Sequence, residues 1–328
     1  MNLDDRELLI RLGREPCSGP ELAALLGLGR AAVWKRIDVL RRAGAPIVAV
    51  QGQGYMLAHP IEWLDGDAIR AAMRTPPGAQ TATLEVLWTI DSTNAELLRR
   101  APAQTTAILF AERQTQGRGR RGRGWITPLG AQLAFSLQRS FAGGVAALAG
   151  LSLAAGVAVA ESLRAAGYPG IGLKWPNDLV CCGRKLGGIL IEFGGEFAGP
   201  VRAVIGVGIN AALPDEVAAS IDQPWTDLRR IDGGRAVARN AIAAALLDGL
   251  LPALELFATE GLAPFLPRWN TLDDLRGRAI DVLIEGRREA GIALGISDNG
   301  ALRVRYAEGE RLHHSAEVSV RPAPTEPA

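Results

Sequence analysis

The sequence contains few cysteines, few histidines and almost no net charge, and each shortage removes a class of function. Three cysteines (Cys17, Cys181 and Cys182) in 328 residues cannot all pair, which is typical of a protein of the reducing cytosol. With three histidines, no Cys/His spacing resembles a zinc site. A formal net charge of +1 means that whole-protein charge predicts no partner, so any basic binding surface must be local.

Signals for secretion and for the membrane are also missing. The first residues, Met1–Glu7, lack the basic start and apolar run of a signal peptide. The segment Ser140–Ala160 carries no charge over about the length of a membrane span. It is rich in alanine and glycine, however, and has no aromatic belt or flanking Lys/Arg clusters. We therefore predict a buried helix of a soluble domain, no membrane contact and a cytoplasmic location.

The periodicity of the chain changes twice, which indicates an α+β protein of several domains. We predict a winged helix-turn-helix over 1–62, a connector over 63–80 with a helix at 66–73 and the loop Thr75–Gly78, a mixed-sheet domain over 81–270, and an SH3-like barrel over 271–328. The central domain alternates strands and helices in a largely antiparallel sheet. Its strands are expected at 83–90, 105–111, 131–138, 171–175, 178–182, 186–193 and 201–209, and its helices at 145–166 and 235–258. The last fifty residues show short β runs at 279–285, 290–296, 302–306 and 317–320.

The N-terminal pattern is that of a winged helix-turn-helix. Helices are predicted at 4–13, from the capping box Ser18–Glu21 to Leu26, and at 30–43, followed by a glycine-turn hairpin at 47–57. The third helix carries Arg30, Lys35, Arg36, Arg41 and Arg42, opposed only by Asp38. Five basic residues alone can be a solvated helix face, but the preceding capped helix and the following wing favour DNA binding. The residues assigned to DNA are Arg30, Trp34, Lys35, Arg36 and Gln53.

The most informative stretch is Gly117–Trp125, which has four arginines and four glycines in nine residues. Glycines allow close approach of backbone amides, and guanidinium groups bind carboxylate and phosphate oxygens with two bonds. The stretch also satisfies the GxGxxG fingerprint, but that motif requires a helix to begin there, and Trp125–Gly130 is a poor helix start. Strand-like runs on both sides disfavour a disordered Arg-Gly tail. A structured anion-binding loop is the better interpretation.

A second anion-oriented cluster lies further along. Lys174–Asp178 and Gly183–Gly188 place two lysines at neighbouring strand ends, although either alone could be a β-turn with solvated side chains. Gly206–Asn210 ends an apolar strand, where a glycine marks either a bulge or a backbone close to a ligand.

In this order, the motifs resemble one family, the bacterial biotin–protein ligases that double as the biotin operon repressor. The resemblance covers essentially the whole chain, including Arg30–Lys35 and the C-terminal β region. The motifs that carry it are Asp91–Asn94, Ala111–Gln114, Gly117–Trp125, Lys174–Asp178, Gly183–Ile189 with Glu192, and Gly206–Asn210.

The resemblance implies two half-reactions. Biotin carboxylate attacks the α-phosphate of MgATP to give biotinyl-5′-adenylate and pyrophosphate, and a lysine of the biotin carboxyl carrier protein of acetyl-CoA carboxylase then takes the biotinyl group. It also implies a biotin-responsive repressor that binds operator DNA as a ligand-promoted homodimer, with biotinyl-5′-AMP as corepressor. The expected ligands are ATP, Mg²⁺ and biotin, with no fixed protein site for the metal.

By motif match, site residues fall into three sets. Biotin binding is assigned to Ser92, Thr93, Asn94, Gln114, Arg118, Gly119, Arg120, Lys185, Gly187 and Gly188. ATP and adenylate binding is assigned to Arg121, Arg123, Trp125, Lys174, Asn177, Gly208 and Asn210. The catalytic set is Lys185, Arg118, Arg120 and Asp178, with Asp178 orienting either Mg²⁺ or the incoming lysine.

Some positions leave alternatives open. Trp125 could be a core anchor only. Cys182 could indicate the acyl-enzyme chemistry of related octanoyltransferases, although its predicted place inside an apolar strand favours plain packing. Gly124 stands where members of the family carry lysine, Gly29 replaces a serine helix cap, and Gln53 replaces a basic wing-tip residue. A biotin sensor without ligase activity and a ligase for another acyl group, such as lipoate, are the competing functions.

Overall fold

A computed structural model describes residues 4–74, 82–101, 105–194, 200–219, 221, 223–284, 287–314 and 318–322. The predicted loop Thr75–Gly78 and the predicted strand residues Glu285 and Glu317 lie outside the described residues. The described chain forms a small helical region with a hairpin, a central seven-stranded sheet, and a C-terminal five-stranded sheet.

The N-terminal region has the predicted winged helix-turn-helix order. Its elements are α1 (Asp5–Leu12), α2 (Gly19–Leu26), α3 (Arg30–Arg42), β1 (Ile47–Val50) and β2 (Gly54–Leu57). The side chain of Ser18 accepts a hydrogen bond from the Glu21 amide, which confirms the predicted capping box of α2. Gly27 ends that helix at φ +62°, a conformation that glycine adopts without strain. Val33, Ile37 and Leu40, which are spaced three to four residues apart on α3, are buried.

The central domain is a mixed sheet with the strand order β3-β4-β5-β9-β8-β7-β6. The β3–β4 pair is parallel, and the other neighbours are antiparallel, as the sequence predicts. Its elements are α4 (Gly66–Ala72), β3 (Thr83–Ile90), α5 (Thr93–Arg99), β4 (Ala107–Gln114), β5 (Gln132–Phe141), α6 (Leu151–Ala165), β6 (Ile171–Lys174), β7 (Asp178–Cys181), β8 (Arg184–Gly194), β9 (Val201–Asn210), α7 (Asp215–Ala218), α8 (Leu228–Ile231), α9 (Arg239–Glu260) and α10 (Leu266–Leu272).

Helices α6 and α9 pack against each other and against the sheet. Two helical stretches, Val145–Ala165 and Arg239–Glu260, are long and apolar enough by composition to cross a membrane. In the fold they supply the core instead: α6 buries eleven of its fifteen residues, among them Leu151, Val157 and Leu163. A helix that is apolar on all sides is thus accounted for by burial on all sides.

The prediction of one helix over 145–166 is wrong in its first turns. Ser140 and Phe141 belong to β5, and Val145–Leu148 is a 3₁₀ turn. Gly150, at φ +84°, caps the α-helix that follows. The predicted helix over 235–258 begins four residues later, at Arg239, and the short helices α7, α8 and α10 had no prediction.

The C-terminal sheet has the order β13-β12-β11-β10-β14, and each described pairing is antiparallel. Its strands are β10 (Ala279–Ile284), β11 (Arg287–Ile296), β12 (Leu302–Tyr306), β13 (Gly309–His313) and β14 (Val318–Pro322). Strand β13 was not predicted. The Trp175 indole donates to the Gly300 carbonyl over 3.0 Å, and this bond joins the sheet to the β6–β7 turn.

The N-terminal and central regions share an apolar contact. Leu129, from the segment that precedes β5, is 2% exposed and belongs to the N-terminal core, and its amide donates to the Ala43 carbonyl over 2.9 Å. A Cβ on Gly44 would lie 2.4 Å from Pro128 Cβ, so only glycine permits this close approach. The end of α3, called the recognition helix below, therefore packs on the segment that follows Gly117–Trp125, called the arginine-rich loop below.

Candidate active site

A buried polar pocket lies at the N-terminus of α5. Thr93 donates from its amide to Gln114 Oε1 over 2.8 Å and from its hydroxyl over 3.1 Å. Ser136 Oγ contacts Thr93 Oγ1 at 2.7 Å and also donates to Asn94 Oδ1. Ser92 caps the helix by accepting from the Ala95 amide. The predicted residues Ser92, Thr93, Asn94 and Gln114 are therefore brought together, with Ser136 added from β5.

Glu192 and Arg118 extend this pocket toward the arginine-rich loop. Asn94 Nδ2 donates to Glu192 Oε2 over 2.8 Å, and Arg118 donates to the same oxygen over 3.2 Å. A Cβ on Gly206 would lie 2.3 Å from Asn94 Oδ1, so this glycine makes room for the amide. The polar pocket and the arginine-rich loop are thus joined through one carboxylate, Glu192.

The arginine-rich loop folds as a small hairpin. Arg118 and Gly124 form an antiparallel bridge, and the Gly119 amide donates to the Arg123 carbonyl over 2.7 Å. Its only helical piece is the three-residue 3₁₀ turn Arg120–Gly122, in which Arg121 has φ +57°. No α-helix begins at these glycines, so the dinucleotide fingerprint is excluded on structural grounds.

The arginines of this loop differ in burial, and Arg120 connects the loop to the rest of the site. Arg120 donates to Asn177 Oδ1 over 3.3 Å, across to the β6–β7 turn. Burial and the neighbouring Arg121 lower the pKa of the Arg120 guanidinium from its ordinary value, partly offset by Asp178. Arg121 and Arg123 lie on the exposed outer side of the loop. The loop thus offers a half-buried cation, Arg120, and two exposed cations, Arg121 and Arg123.

In the second anion-oriented cluster, the ammonium group of Lys185 lies over the indole ring of Trp125. Lys185 Nζ lies 2.7 Å from Asp178 Oδ1 and 5.6 Å from the centre of the Trp125 ring. A Cβ on Gly208 would be 2.7 Å from that ring, so the ring lies directly against the backbone of β9. Trp125 is therefore part of the site rather than a core anchor only, since it is half-buried and faces Lys185.

The β6–β7 turn holds the remaining predicted residues. Lys174 and Asp178 are opposite each other across the strand pair. Burial is the main cause that lowers the pKa of Lys174, and Lys185 adds to it while Asp178 opposes it. Asn177 makes two hydrogen bonds to Ile189. Its side-chain Nδ2 donates to the Ile189 carbonyl over 2.7 Å, and its backbone carbonyl accepts from the Ile189 amide over 2.9 Å.

The paired glycines of β8 lie directly beside these groups. A Cβ on Gly187 would lie 2.5 Å from the Gly208 carbonyl. A Cβ on Gly188 would lie 3.5 Å from Asp178 Oδ1 and 3.6 Å from Lys185 Cε. Gly187 therefore permits the close approach of β8 to β9, and Gly188 borders Asp178 and Lys185 at ordinary contact distance.

A chain of buried amides connects Trp125 with Asn210. The Trp125 indole donates to Gln132 Oε1 over 2.9 Å, and Gln132 Nε2 donates to Asn210 Oδ1 over 2.8 Å. Asn210 Nδ2 then donates to the Thr226 carbonyl over 3.0 Å. Thr226 follows Trp225, whose ring stacks at 4.2 Å on the Arg230 guanidinium.

Sequence reasoning missed Gln132, Ser136 and Trp225, and it gave Glu192 no role. A signal was present for two of them, because Gln132 and Ser136 are the polar residues in the otherwise apolar run 132–137. Both are buried, so each had to find a partner inside the protein. Trp225 lies in an irregular segment where no periodicity marks it.

The interpretation of Cys182 as a strand residue is wrong. It is exposed and lies with Gly183 in the turn between β7 and β8, with φ +50°. Cys181 is the buried residue of the pair, and burial is the main cause that raises its pKa to about 11. Among the residues that the structure describes, no group of three His, Cys, Asp or Glu side chains could hold a metal ion.

The recognition helix presents part of the predicted DNA surface. Arg30, Trp34 and Lys35 are exposed on α3, with Trp34 at 61%, and Gln53 is exposed in the turn between the wing strands. Arg36 instead lies 2.7 Å from Asp5 of α1, so the expectation that only Asp38 opposes the basic residues is wrong. Arg41 donates to the Ile47 carbonyl and stacks on Tyr55, and Arg42 pairs with Asp38.

Comparison with known proteins settles the family. The chain is 40% identical over 307 residues to the bifunctional ligase/repressor BirA of Salmonella typhimurium (strain LT2), covering 93% of each chain. It belongs to the biotin ligase/repressor family. Sequence profiles agree: HTH domain at residues 6–56, Biotin/lipoate A/B protein ligase family at 86–210, and Biotin protein ligase C terminal domain at 277–321.

Two further similar proteins, both named as biotin ligases, match a smaller part of this chain. The Paracoccus denitrificans biotin–[acetyl-CoA-carboxylase] ligase is 36% identical over 238 residues, which is 70% of this chain and 96% of that protein. A solved structure of the Aquifex aeolicus biotin protein ligase in complex with biotin and ATP superposes with a TM-score of 0.64 and 27% identity, over 74% of this chain and 99% of that one. The predicted α+β architecture and the predicted family are thereby confirmed.

Proposed function

We propose that this protein activates biotin with ATP and transfers it to a lysine of the biotin carboxyl carrier protein. The observation that carries the proposal is the convergence of Lys185, Asp178 and Trp125 with an arginine-rich loop that is tied to a buried polar pocket. Two anions, a carboxylate and a triphosphate, must approach each other in the first step. Fixed cations offset their repulsion, and holding the two groups in place supplies much of the rate.

The polar pocket suits the biotin head group. A cyclic urea offers a carbonyl acceptor and two N–H donors, and Thr93, Asn94, Gln114 and Ser136 supply hydroxyl and amide groups within one buried cluster. Lys185 lies where the carboxylate end of biotin meets the α-phosphate. Its ammonium group neutralises charge on both groups during attack, and it stabilises the carbonyl oxygen when the acceptor amine displaces AMP.

The outer cations suit the departing phosphates. Arg121 and Arg123 lie at the exposed edge of the loop, and Lys174 lies beside Asp178 on the inner side. The Trp225 ring offers a flat surface for adenine next to the backbone of Lys185, because residues 185 and 225 form a parallel bridge. Mg²⁺, carried in by the phosphates of ATP, would supply additional neutralisation of their charge, with Asp178 as the available carboxylate.

The second half-reaction needs an amine acceptor in its neutral form, since an unperturbed lysine has a pKa of about 10.4. Asp178 is placed to receive the proton of the incoming amine once ligand phosphates draw Lys185 away from it. A role of Asp178 in orienting the metal remains the alternative, and an Asp178→Asn variant separates the two. A selective loss of transfer from preformed adenylate supports the amine role, whereas a selective loss of pyrophosphate release supports the metal role.

We further propose that the same chain is a biotin-responsive repressor acting in the cytoplasm. Arg30, Trp34 and Lys35 form an exposed edge on the recognition helix, and the wing follows directly. Binding of the adenylate orders the arginine-rich loop and favours a homodimer, which presents two recognition helices to a two-fold operator. Sedimentation with biotin and ATP is expected to show a dimer where the ligand-free chain is monomeric, and an unchanged monomer would refute the switch.

The deciding experiment is incubation with biotin, MgATP and a biotin carboxyl carrier domain, followed by mass measurement of the carrier. We expect the mass gain of one biotinyl group, and no gain when the carrier lysine is replaced. Biotin binding without a mass gain would favour a sensor that lacks ligase activity. A gain with lipoate but not with biotin would favour the lipoate-type ligase instead.

A further inference from the structure

Gln132 occupies an unusual place for an amide side chain. It begins β5 at the head of the buried run 132–137, in which Ser136 is the one other polar residue, and it is itself only 2% exposed. Its carbonyl oxygen Oε1 accepts from the Trp125 indole over 2.9 Å, and its amino group donates to Asn210 Oδ1 over 2.8 Å. A buried amide with both ends bonded is held in one orientation.

The direction of this chain is fixed by chemistry. An indole nitrogen can only donate, so Gln132 must present its oxygen to Trp125 and its amino group to Asn210. Asn210 must then present its own amino group to the Thr226 carbonyl, which it meets at 3.0 Å. Each of the three bonds pairs one donor with one acceptor, and turning either amide over would place two acceptors or two donors face to face.

Both ends of the amide chain arrive at Lys185. At one end, the Trp125 ring lies under the Lys185 ammonium group, 5.6 Å from its centre. At the other end, the Thr226 amide donates to the Lys185 carbonyl over 2.9 Å, and the Lys185 amide donates to the Pro224 carbonyl over 2.9 Å. The backbone of Lys185 and the ring beneath its side chain are therefore connected through Gln132 and Asn210 along this path.

The backbone of Gln132 is itself fixed by Arg239 and by pairing with Asn210. Arg239, itself 2% exposed, donates from Nη2 to the Gln132 carbonyl over 2.6 Å. Gln132 is also paired with Asn210 across β5 and β9. These contacts fix the backbone from which the side chain starts, and its own two hydrogen bonds fix the direction of the amide.

We propose that Gln132 is a positioning residue of the ligase reaction, which sets the place of Lys185 by aligning Trp125 and the Pro224–Thr226 segment. The inference rests on the proposed ligase function and adds a residue that touches neither substrate nor the reacting atoms. Displacement of a catalytic group by about 1 Å can cost about 100-fold in rate, so its loss is expected to act on turnover.

The first test is Gln132→Met, which keeps the length of the side chain and removes both hydrogen bonds. We expect the kcat of pyrophosphate release to fall by about 10-fold to 100-fold. The KM for biotin is expected to change by less than about twofold, because no hydrogen bond in the described part of the chain joins Gln132 to Thr93, Asn94 or Gln114. A kcat within about twofold of the unmodified protein would overturn the proposal.

The matched control is Gln138→Met. Gln138 lies six residues further along the same strand and is equally buried, at 2%, but it is paired with Ala107 and Val204 away from the site. The same substitution there is expected to reduce stability while leaving kcat unchanged. An equal loss of kcat in both variants would reduce the effect to general destabilisation and would also overturn the proposal.

Two further variants keep the question decidable if Gln132→Met does not fold. Gln132→Glu keeps the acceptor for Trp125 but replaces the amino group that donates to Asn210, and Trp125→Phe removes the indole donor together with part of the ring that faces Lys185. Each is expected to lower kcat by about 10-fold, and the double variant Trp125→Phe with Gln132→Glu to lose no more than about 20-fold, since both interrupt one chain. Losses that multiply, or Trp125→Phe with unchanged turnover, would refute it.

Failure of this inference is distinguishable from failure of the proposed function. Biotin-dependent pyrophosphate release by the unmodified chain tests the function by itself. If that release is present and the Gln132 variants match the unmodified protein, only the positioning role is lost. If the unmodified chain releases no pyrophosphate, the ligase function fails, and with it the positioning role that rests on it.

Discussion

Adding one methyl group at either of two glycines of β9 is expected to damage different steps of the reaction. Gly206 and Gly208 are two residues apart, so they face the same side of the sheet about 7 Å from each other. A Cβ on Gly206 would lie 2.3 Å from Asn94 Oδ1 in the polar pocket. A Cβ on Gly208 would lie 2.7 Å from the Trp125 ring.

The magnitudes follow from the contacts that must give way. In Gly206→Ala, the Asn94 amide must move by about 1 Å to reach an ordinary contact, which strains its bonds to Ser136 and Glu192. Losing one such buried bond costs about 2 kcal/mol, equivalent to roughly 30-fold in the Kd for biotin. In Gly208→Ala, the Trp125 ring must move by about 0.7 Å, which disturbs its bond to Gln132 and its contact with Lys185, and kcat is expected to fall by about 10-fold.

Isothermal titration with biotin and a pyrophosphate-release assay separate the two effects. We expect weaker biotin binding with Gly206→Ala and lower kcat with near-normal biotin binding for Gly208→Ala. The control is Gly19→Ala in α2, where a Cβ would meet nothing within 4 Å. Equal effects of both strand variants on biotin binding, or normal binding by Gly206→Ala, would contradict the assignment of Asn94 to the biotin pocket.

Three further substitutions test other parts of the molecule. Lys185→Ala is expected to abolish most pyrophosphate release while circular dichroism stays unchanged, and near-normal release would contradict its role. Arg120→Gly removes the bond to Asn177 and is expected to let the adenylate escape, so mass spectrometry should detect more biotin on bystander lysines, and unchanged selectivity would count against this. Gly29 caps α3 without a side-chain bond, at φ −74° with open space around it, so Gly29→Ser should exceed Gly29→Ala in unfolding free energy by about 1 kcal/mol in urea denaturation. Equal stability would show that no cap forms.

Local signals in the sequence located most of the fold. Capping residues and helical periodicity placed the three N-terminal helices within a residue or two, and the strand Thr83–Ile90 was predicted with its observed bounds. The errors arose where tertiary contacts override composition. An alanine-rich, uncharged run looks helical throughout, yet Gly150 breaks it, and a Cβ there would meet Leu262 at 2.7 Å.

The site was predicted as separate motifs, and their assembly required the fold. Sequence order cannot reveal that Glu192 of β8 joins Asn94 of α5 to Arg118, because these residues are up to 98 positions apart. Nor does the composition of α3 reveal that Arg36 is bound to Asp5. The sequence does predict which residue types are needed, since anionic ligands call for arginine, lysine and glycine wherever the chain brings them together.

The burial of Leu129 within the N-terminal core bears on how this protein can be divided. A cut in the connector near residue 62 would follow the boundary that the sequence predicts, but it would remove the N-terminal helices whose core includes Leu129 and Trp63, which are 2% and 8% exposed. The remaining chain would carry a new apolar surface next to its own arginine-rich loop. The N-terminal region therefore covers an apolar surface of the central region in addition to carrying the recognition helix. Shortened versions are expected to aggregate unless Leu129 and Trp63 are replaced by polar residues.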